Sequence, residues 1–346
     1  MKQYFISKTT PQYRANLHCH STYSDGKLTP EVLKKAYKEH GYQILAITDH
    51  ERPFDHTAMS DPDFLMLTAY EAHIRKHPEY LLYEQEIHLN LFAKDPHNVT
   101  YIYEDPAYCR RYFKGTDEEY AALPRAGVGK PREYTLEYIN EFIRMAVENG
   151  YLVAYNHPYW SMEDEERVLS YENIFSLEIA NYGSHKNNRL EYPYSSALYD
   201  KMLRRGMRRF CHGGDDNHNG KPFDHPQNGS FGAWTMILAD ELSYPAVIGA
   251  MERGDMYAST GPEIKELSVE DGVVHIECSP AEQVILYTGG KSQKTEKARE
   301  GEVLTSVATR NERYLYLLPA EADRVVCIDR MEFDENGDIK PVEMTK

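Results

Sequence analysis

Nine side chains of metal-binding type, His18, His20, Asp25, His50, Glu71, His88, His157, Asp216 and His218, fall within the first 218 residues, nearly all at the ends of apolar, strand-like runs. Side chains two apart on a strand share a face. His18 and His20 of Asn-Leu-His-Cys-His therefore converge, as do Asp216 and His218 of Asp-Asp-Asn-His, while Cys19 faces away. One His-x-His is ordinarily surface or core histidine, and it is the ordered series that points to a polynuclear metal site. Mixed imidazole and carboxylate donors suit Zn, Mn or Fe better than Mg or Ca, which prefer oxygen shells. Such cations generate hydroxide from water at neutral pH and clamp the oxygens of a displacement at phosphorus or carbonyl carbon.

The elements that must position these groups repeat as helix then strand. Thr29-Pro30-Glu31 opens a helix with an N-cap and a first-turn Pro, Val32, Leu33, Ala36 and Tyr37 form its stripe, and Gly41 stops it before a strand over 42–48. The unit returns with Leu136, Ile139, Phe142, Ile143 and Ala146, then Gly150 and the strand 151–155 leading to His157. It returns again with Leu198, Met202 and Gly206 before a strand ending at Asp216, and a last helix runs from Ser243-Tyr-Pro245 to Gly254. Alternation of this kind predicts a parallel sheet with its site at the C-terminal strand ends. Residues 94–135, rich in Tyr, break the pattern and read as an insertion, either a lid or specificity loop or a packed excursion or oligomer contact. From about residue 263 short β runs with an Asp271-Gly272 turn predict a small antiparallel β domain.

The segment Asn16-Leu-His-Cys-His-Ser-Thr-Tyr-Ser-Asp-Gly26, followed by Ile47-Thr-Asp-His50, resembles the opening motifs of the PHP (polymerase and histidinol phosphatase) family of metal-dependent hydrolases. In order come Tyr70-Glu71 at the family's bridging glutamate, His88-Leu-Asn-Leu-Phe92 at a strand-borne histidine, Asn156-His157-Pro158, and Gly214-Asp-Asp-Asn-His218. The resemblance covers roughly residues 14 to 262 and is nearest to stand-alone members with a β domain after the catalytic one, the carbaryl-hydrolase-like proteins among them. Two positions depart from the pattern, Tyr70 where Gly is common and Asp215 where Ser is common. Asp216 is taken as the ligand because it alone lies two before His218.

The resemblance implies a distorted (β/α)7 TIM-like barrel over residues 1–262, followed by the β domain over 263–346. It implies two or three divalent transition metals: one on His18, His20, Glu71 and Asp216, a second on Glu71, His88 and His157, a third on Asp25, His50 and His218. Glu71 would bridge the first two. The activity implied is that of a phosphoesterase acting on a small phosphomonoester or nucleotide-like phosphodiester through a metal-bridging hydroxide, with Glu71, His50 and Asp49 in catalytic positions. Asp49 would either orient a ligand or take part in proton transfer. Arg75, Lys186 and Arg189 are candidate phosphate clamps, set against their reading as solvated loop charges.

A carboxylic ester, carbamate or amide would suit the same nucleophile, and a non-catalytic metal-binding scaffold is the third reading. Against the scaffold, every expected ligand type is present. The net charge of −16 opposes a polymeric nucleic acid partner. No run of about 18 apolar residues predicts a membrane span and the N-terminus lacks a signal-peptide layout, so a cytoplasmic enzyme is expected. The five cysteines, odd in number and never in Cys-x-x-Cys, fit neither a disulfide framework nor a thiolate site. The basic stretch Arg204 to Arg209 reads as a helix C-terminal turn. His40, His56, His77, His97, His225 and His275 read as structural or surface, and His73 and His212 as neighbours of the metals.

Overall fold

The computed structural model describes residues 2–75, 85–184, 195–288, 293–310, 313–318 and 326–327. The chain opens with β1 (Gln3–Ile6), β2 (Tyr13–Asn16), α1 (Pro30–Glu39), β3 (Ile44–Ala46), β4 (Leu65–Leu67), β5 (Ala69–Arg75) and β6 (Glu86–Ala93). The insertion holds β7 (Tyr101–Ile102), α2 (Pro106–Tyr112), α3 (Asp117–Ala122) and β8 (Arg125–Ala126). Next come α4 (Leu136–Glu148), β9 (Tyr151–Tyr155), α5 (Glu165–Val168), β10 (Ser176–Asn181), α6 (Ser196–Arg204), β11 (Phe210–Gly214), β12 (Trp234–Ile237), α7 (Tyr244–Arg253) and β13 (Met256–Ser259). The last strands are β14 (Ile264–Glu270), β15 (Val273–Ala281), β16 (Gln283–Thr288), β17 (Gln293–Lys297), β18 (Leu304–Arg310), β19 (Arg313–Leu318) and β20 (Val326–Cys327).

The helices start and stop where capping chemistry predicts. The Thr29 side chain accepts from the Val32 N–H and Pro30 fills the first turn of α1, while Thr135 and Ser243 cap α4 and α7 in the same way. Gly41, Gly150, Gly206 and Gly254 follow their helices in left-handed conformation. Leu33, Ala36 and Tyr37 are buried as expected, but Val32 is exposed, so the inward stripe of α1 is narrower than the apolar pattern suggests.

The fold is mixed α/β, and the expected ring of parallel strands does not close. A five-stranded sheet has the order β11-β10-β9-β6-β5, and a nine-stranded sheet the order β17-β16-β19-β20-β13-β12-β2-β3-β4. Parallel pairing holds for β9, β10 and β11 and for β2, β3 and β4, but β6 runs antiparallel to both β5 and β9, and β12 antiparallel to β2. The reason for the first reversal is length: ten residues separate Arg75 from Glu86, too few for the crossover that a parallel pair needs. Isolated bridges His50 with Glu71, Phe54 with Ala69, and Cys19 with Asn217 tie the two sheets together beside the candidate ligands.

The C-terminal strands are antiparallel, with β14 and β15 joined at Asp271-Gly272, both at positive φ. β17 and β18 were not legible in the sequence: Gln293–Lys297 is polar throughout, and Leu304–Arg310 lacks a strict apolar alternation. β1 pairs with β14, so the N-terminal segment supplies a strand to the β14-β15-β18 sheet. Among the described residues no helix is long and apolar enough to cross a membrane.

Candidate metal centre

All nine expected ligands gather in one cluster, and the strands explain how. His18 and His20 lie just past β2, His50 past β3, His157 past β9, and Asp216 and His218 past β11, while Glu71 sits in β5. His88 lies near the N-terminal end of β6, which faces the cluster because that strand is reversed. Most of the group is buried: His18, His20 and Glu71 are wholly inaccessible, and His50, His88 and His157 nearly so.

Glu71 is the centre. Its Oε1 lies 3.2 Å from His18 Nε2, 3.1 Å from His88 Nδ1 and 3.4 Å from His157 Nε2. Its Oε2 lies 3.0 Å from His50 Nδ1 and 3.4 Å from His20 Nε2. Asp216 Oδ1 is 3.3 Å from His18 Nε2 and 3.1 Å from His20 Nε2. On the other flank, Asp25 is 3.3 Å from His218 Nε2 and 3.8 Å from His50 Nε2. Among the described residues, donor atoms close enough to share one cation form four groups: His18, His20 and Asp216; His18, Glu71 and His157; His50, Glu71 and His88; and His20, Asp25, His50 and His218. The last group brings in His20, which the sequence reading kept apart from Asp25, His50 and His218.

The cluster fits divalent cations on its own evidence. His20 Nδ1 is buried without a hydrogen-bond partner, and His50 Nδ1 and Glu71 Oε2, though 3.0 Å apart, form no hydrogen bond of adequate geometry. Each such atom costs about 1–3 kcal/mol, a cost that coordination removes. Backbone strain concentrates here as well, with His157 at φ 27° and Asp216 at φ 51°. Gly214 is required by close approach: a Cβ there would lie 2.7 Å from the His18 Cβ and 2.9 Å from Glu178 Oε1.

Charge is shared across the cluster. Burial opposes ionisation of Glu71, yet His88, His18 and His50 hold its carboxyl well below the usual range. Burial also disfavours charge on His18, but Asp216, Glu178 and Glu71 outweigh it and raise its pKa well above 6.5. His88 rises to about 10 and His218 to about 9 through their carboxylate neighbours, whereas burial, with His218 and His50 alongside, lowers His20 to about 4. Protons thus balance the carboxylates where cations can stand.

Asp215 and Asp216 separate cleanly. Asp215 accepts from the Tyr37 hydroxyl at 2.7 Å and from the N–H groups of Phe231, Gly232 and Ala233 at 2.7, 3.0 and 3.0 Å, so it anchors the loop before β12. Asp49 has both oxygens occupied too, by the Ser21 N–H and hydroxyl at 2.7 and 2.5 Å and those of Ser24 at 3.1 and 2.6 Å. These four hydrogen bonds make Asp49 a clamp for the turn after His20. Arg75 lies at the cleft rim 3.6 Å from Glu86. Lys186 and Arg189 lie outside the described residues, as does His77.

Sequence reasoning missed Glu178 and the pair Glu51 and Arg132. Glu178, buried in β10, has Oε1 2.9 Å from His18 Nδ1, and its Oε2 accepts from the His157 N–H at 2.8 Å and from Asn181 Nδ2 at 2.9 Å. The legible signal was a carboxylate inside the apolar run Leu177-Glu-Ile179. Glu51 pairs with Arg132 of the insertion in a buried bidentate contact, accepts from the His73 N–H at 2.8 Å and from Cys109 Sγ at 3.2 Å, and so locks the insertion to β5. His73 and His212 are buried neighbours, and burial pushes both below the usual imidazole range. A cleft of about 410 Å³ opens over the cluster, bordered by Tyr108, Arg111 and Tyr112 of α2 and by Trp160.

A mixed α/β fold enclosing one buried carboxylate ringed by imidazoles defines the class as a metal-dependent hydrolase. Residues 16–146 match the model of the PHP domain; His157, Asp216 and His218 lie beyond the matched stretch. No curated protein matches the sequence. Among solved structures, a two-domain protein from Bacteroides vulgatus containing a predicted PHP-like metal-dependent phosphoesterase is 14% identical, with a TM-score of 0.44 over 93% of this chain and 96% of that one. A protein from Bifidobacterium adolescentis assigned as a metal-dependent phosphoesterase is 16% identical, with a TM-score of 0.40 over 63% and 93%. An amidohydrolase from Chromobacterium violaceum with bound sulfate and no metal is 16% identical, with a TM-score of 0.38 over 70% and 96%.

Proposed function

We propose that this metal-dependent hydrolase is a phosphoesterase acting on a small phosphomonoester or nucleotide-like phosphodiester. The observation that carries the reading is Glu71, whose two oxygens face different sets of imidazoles, His18, His88 and His157 on one side and His20 and His50 on the other. A carboxylate so placed suits adjacent cations, the arrangement matched to in-line displacement at phosphorus. His18, His20, Glu71 and Asp216 would hold one, Glu71, His88 and His157 a second, and Asp25, His50 and His218, with His20 beside them, a third. When bound, these cations, Zn, Mn or Fe by donor type, supply Lewis acidity and a water nucleophile at neutral pH.

The chain's own part is placement. Glu178 turns the His18 ring toward Glu71, Asn156 Nδ2 donates to Glu71 Oε1 at 2.7 Å and fixes that carboxylate, and Asp49 holds the turn that carries His20. Burial of Glu71, His18 and His20 excludes water from behind the cluster, leaving the cleft as the way in. Cleft size and the net charge of −16 favour a small-molecule substrate over a nucleic acid polymer. We propose further that residues 1–262 form the hydrolase unit and 263–346 a β domain that borrows β1, and that the enzyme works in the cytoplasm.

The test is hydrolysis by protein reconstituted with Mn, Zn or Fe across phosphomonoesters, phosphodiesters and carboxylic esters, with His20→Ala as control. Phosphate release that the control abolishes is the expected result. Turnover confined to carboxylic esters replaces the reading with an ester, carbamate or amide hydrolase, and silence across the panel despite bound metal rejects both.

A further inference from the structure

The insertion ends one of its faces in the cleft. Tyr108, Arg111 and Tyr112 lie at i, i+3 and i+4 of α2 and share a side of that helix, and all three border the cleft over the metal-type cluster. The other side is pinned: Cys109 is buried against Glu51, which Arg132 holds, and Asp105 caps the helix start. α2 is therefore a fixed wall rather than a loose cover. The Tyr108 ring stands 3.7 Å from that of His73 and the Tyr112 ring 5.3 Å from that of His50. Trp160 forms a second aromatic wall, 5.1 Å from the His88 ring and 4.9 Å from that of His157.

Charge is distributed unequally between the two arginines at this mouth. Arg75 faces Glu86, whereas no described carboxylate pairs with Arg111, which extends past the Tyr112 ring with its guanidinium carbon 5.8 Å from the centroid. A guanidinium that no described carboxylate engages, at the rim of such a cleft, suits two oxygens of a phosphoryl group. Aromatic walls on the His50 side and on the His88 and His157 side suit a flat organic group between them.

We propose that α2 and Trp160 select the substrate: Arg111 takes phosphoryl oxygens while Tyr112 and Trp160 hold a planar ring, so that the substrate class is a phosphomonoester with an aromatic or heteroaromatic organic part. This rests on the phosphoesterase reading, and the experiment reads binding rather than turnover so that the two can fail separately. Phenylphosphonate and methylphosphonate, whose carbon–phosphorus bonds resist hydrolysis, are titrated into Mn-loaded protein by calorimetry, with metal content checked for every variant. The expected result is about tenfold tighter binding of phenylphosphonate, in line with the worth of one aromatic stack. Trp160→Ala and Tyr112→Ala should each erode that preference. Arg111→Ala should weaken both ligands alike by about tenfold, with Arg111→Lys recovering part of the loss.

Equal affinity for the two phosphonates, failure of both to bind, or unchanged binding in Arg111→Ala at full metal content each overturns the proposal. Selective phosphonate binding in a protein that releases no phosphate from any ester would instead reject the phosphoesterase reading and leave the recognition face standing.

Discussion

Glu178 Oε1 and His18 Nδ1 are 2.9 Å apart with both side chains wholly buried, and the other Glu178 oxygen accepts from the backbone of His157. One carboxylate thus fixes the ring of one candidate ligand and the strained peptide of another. All three groups that bond to Glu178 are donors, so a glutamine there must turn its own NH₂ toward at least one of them. We expect Glu178→Gln to leave the fold in place by circular dichroism and to weaken metal binding by about 10–100-fold. Chelator competition measures this; unchanged affinity would show that His18 needs no such partner.

Much of the site was legible because its chemistry is local. Asn-Leu-His-Cys-His, Thr-Asp-His and Asp-Asn-His announce themselves by residue type and spacing, and the helices by Thr, Pro and Gly at their ends. Groups paired across the fold carry no such mark. Glu51 and Arg132 are 81 positions apart, and neither neighbourhood reveals that the two meet. Strand direction was hidden for another reason: Glu86–Ala93 is buried along nearly its whole length, and a buried strand has the same apolar run whichever way it points. Only the short connection before it hinted at the reversal.

The Glu51 and Arg132 pair is buried on both sides, Arg132 at 4% and Glu51 at 0% side-chain exposure. Removing one partner strands a charge in the interior, which costs about 3–5 kcal/mol. Arg132→Met is expected to lose stability of that order in urea unfolding, and Glu51→Gln combined with it to recover part of the loss. A loss under about 1 kcal/mol, the level of an exposed pair, would mean that the contact does not hold the insertion in place.

Protons and metal should compete. Burial works against charge on His88 and His218, but Glu71 and Glu86 raise the first to about 10, and Asp25 and Asp216 the second to about 9. Because both values lie above the unfolded value of 6.5, this contribution to the stability of the metal-free protein is complete below pH 6.5. It is lost as pH rises through 9 and 10. At pH 7 both rings carry protons that coordination must expel. Calorimetry of Mn binding in buffers of different ionisation enthalpy should therefore record net proton release at neutral pH, declining as pH approaches 9. Proton uptake, or release independent of pH, would contradict this charge assignment.

Asp215 and Asp216 are adjacent yet face different partners, so the same substitution should have opposite consequences. Every group bonded to the Asp215 carboxylate is a donor: the Tyr37 hydroxyl and three successive backbone N–H groups. Burial nonetheless pushes its pKa up to about 6 against the pull of those donors, so at neutral pH it stands as an interior anion held by hydrogen bonds. Asp215→Asn presents an amide NH₂ to a ring of donors and should destabilise the metal-free protein by about 1–3 kcal/mol, while the folded fraction keeps its metal. Asp216 faces His18 and His20, and Asp216→Asn should lose metal at that position even in its folded fraction. Denaturant midpoints and metal content measured on both variants separate the roles. A stable Asp215→Asn protein that has lost its metal, beside an Asp216→Asn protein that has kept it, would reverse the assignment and make Asp215 the ligand.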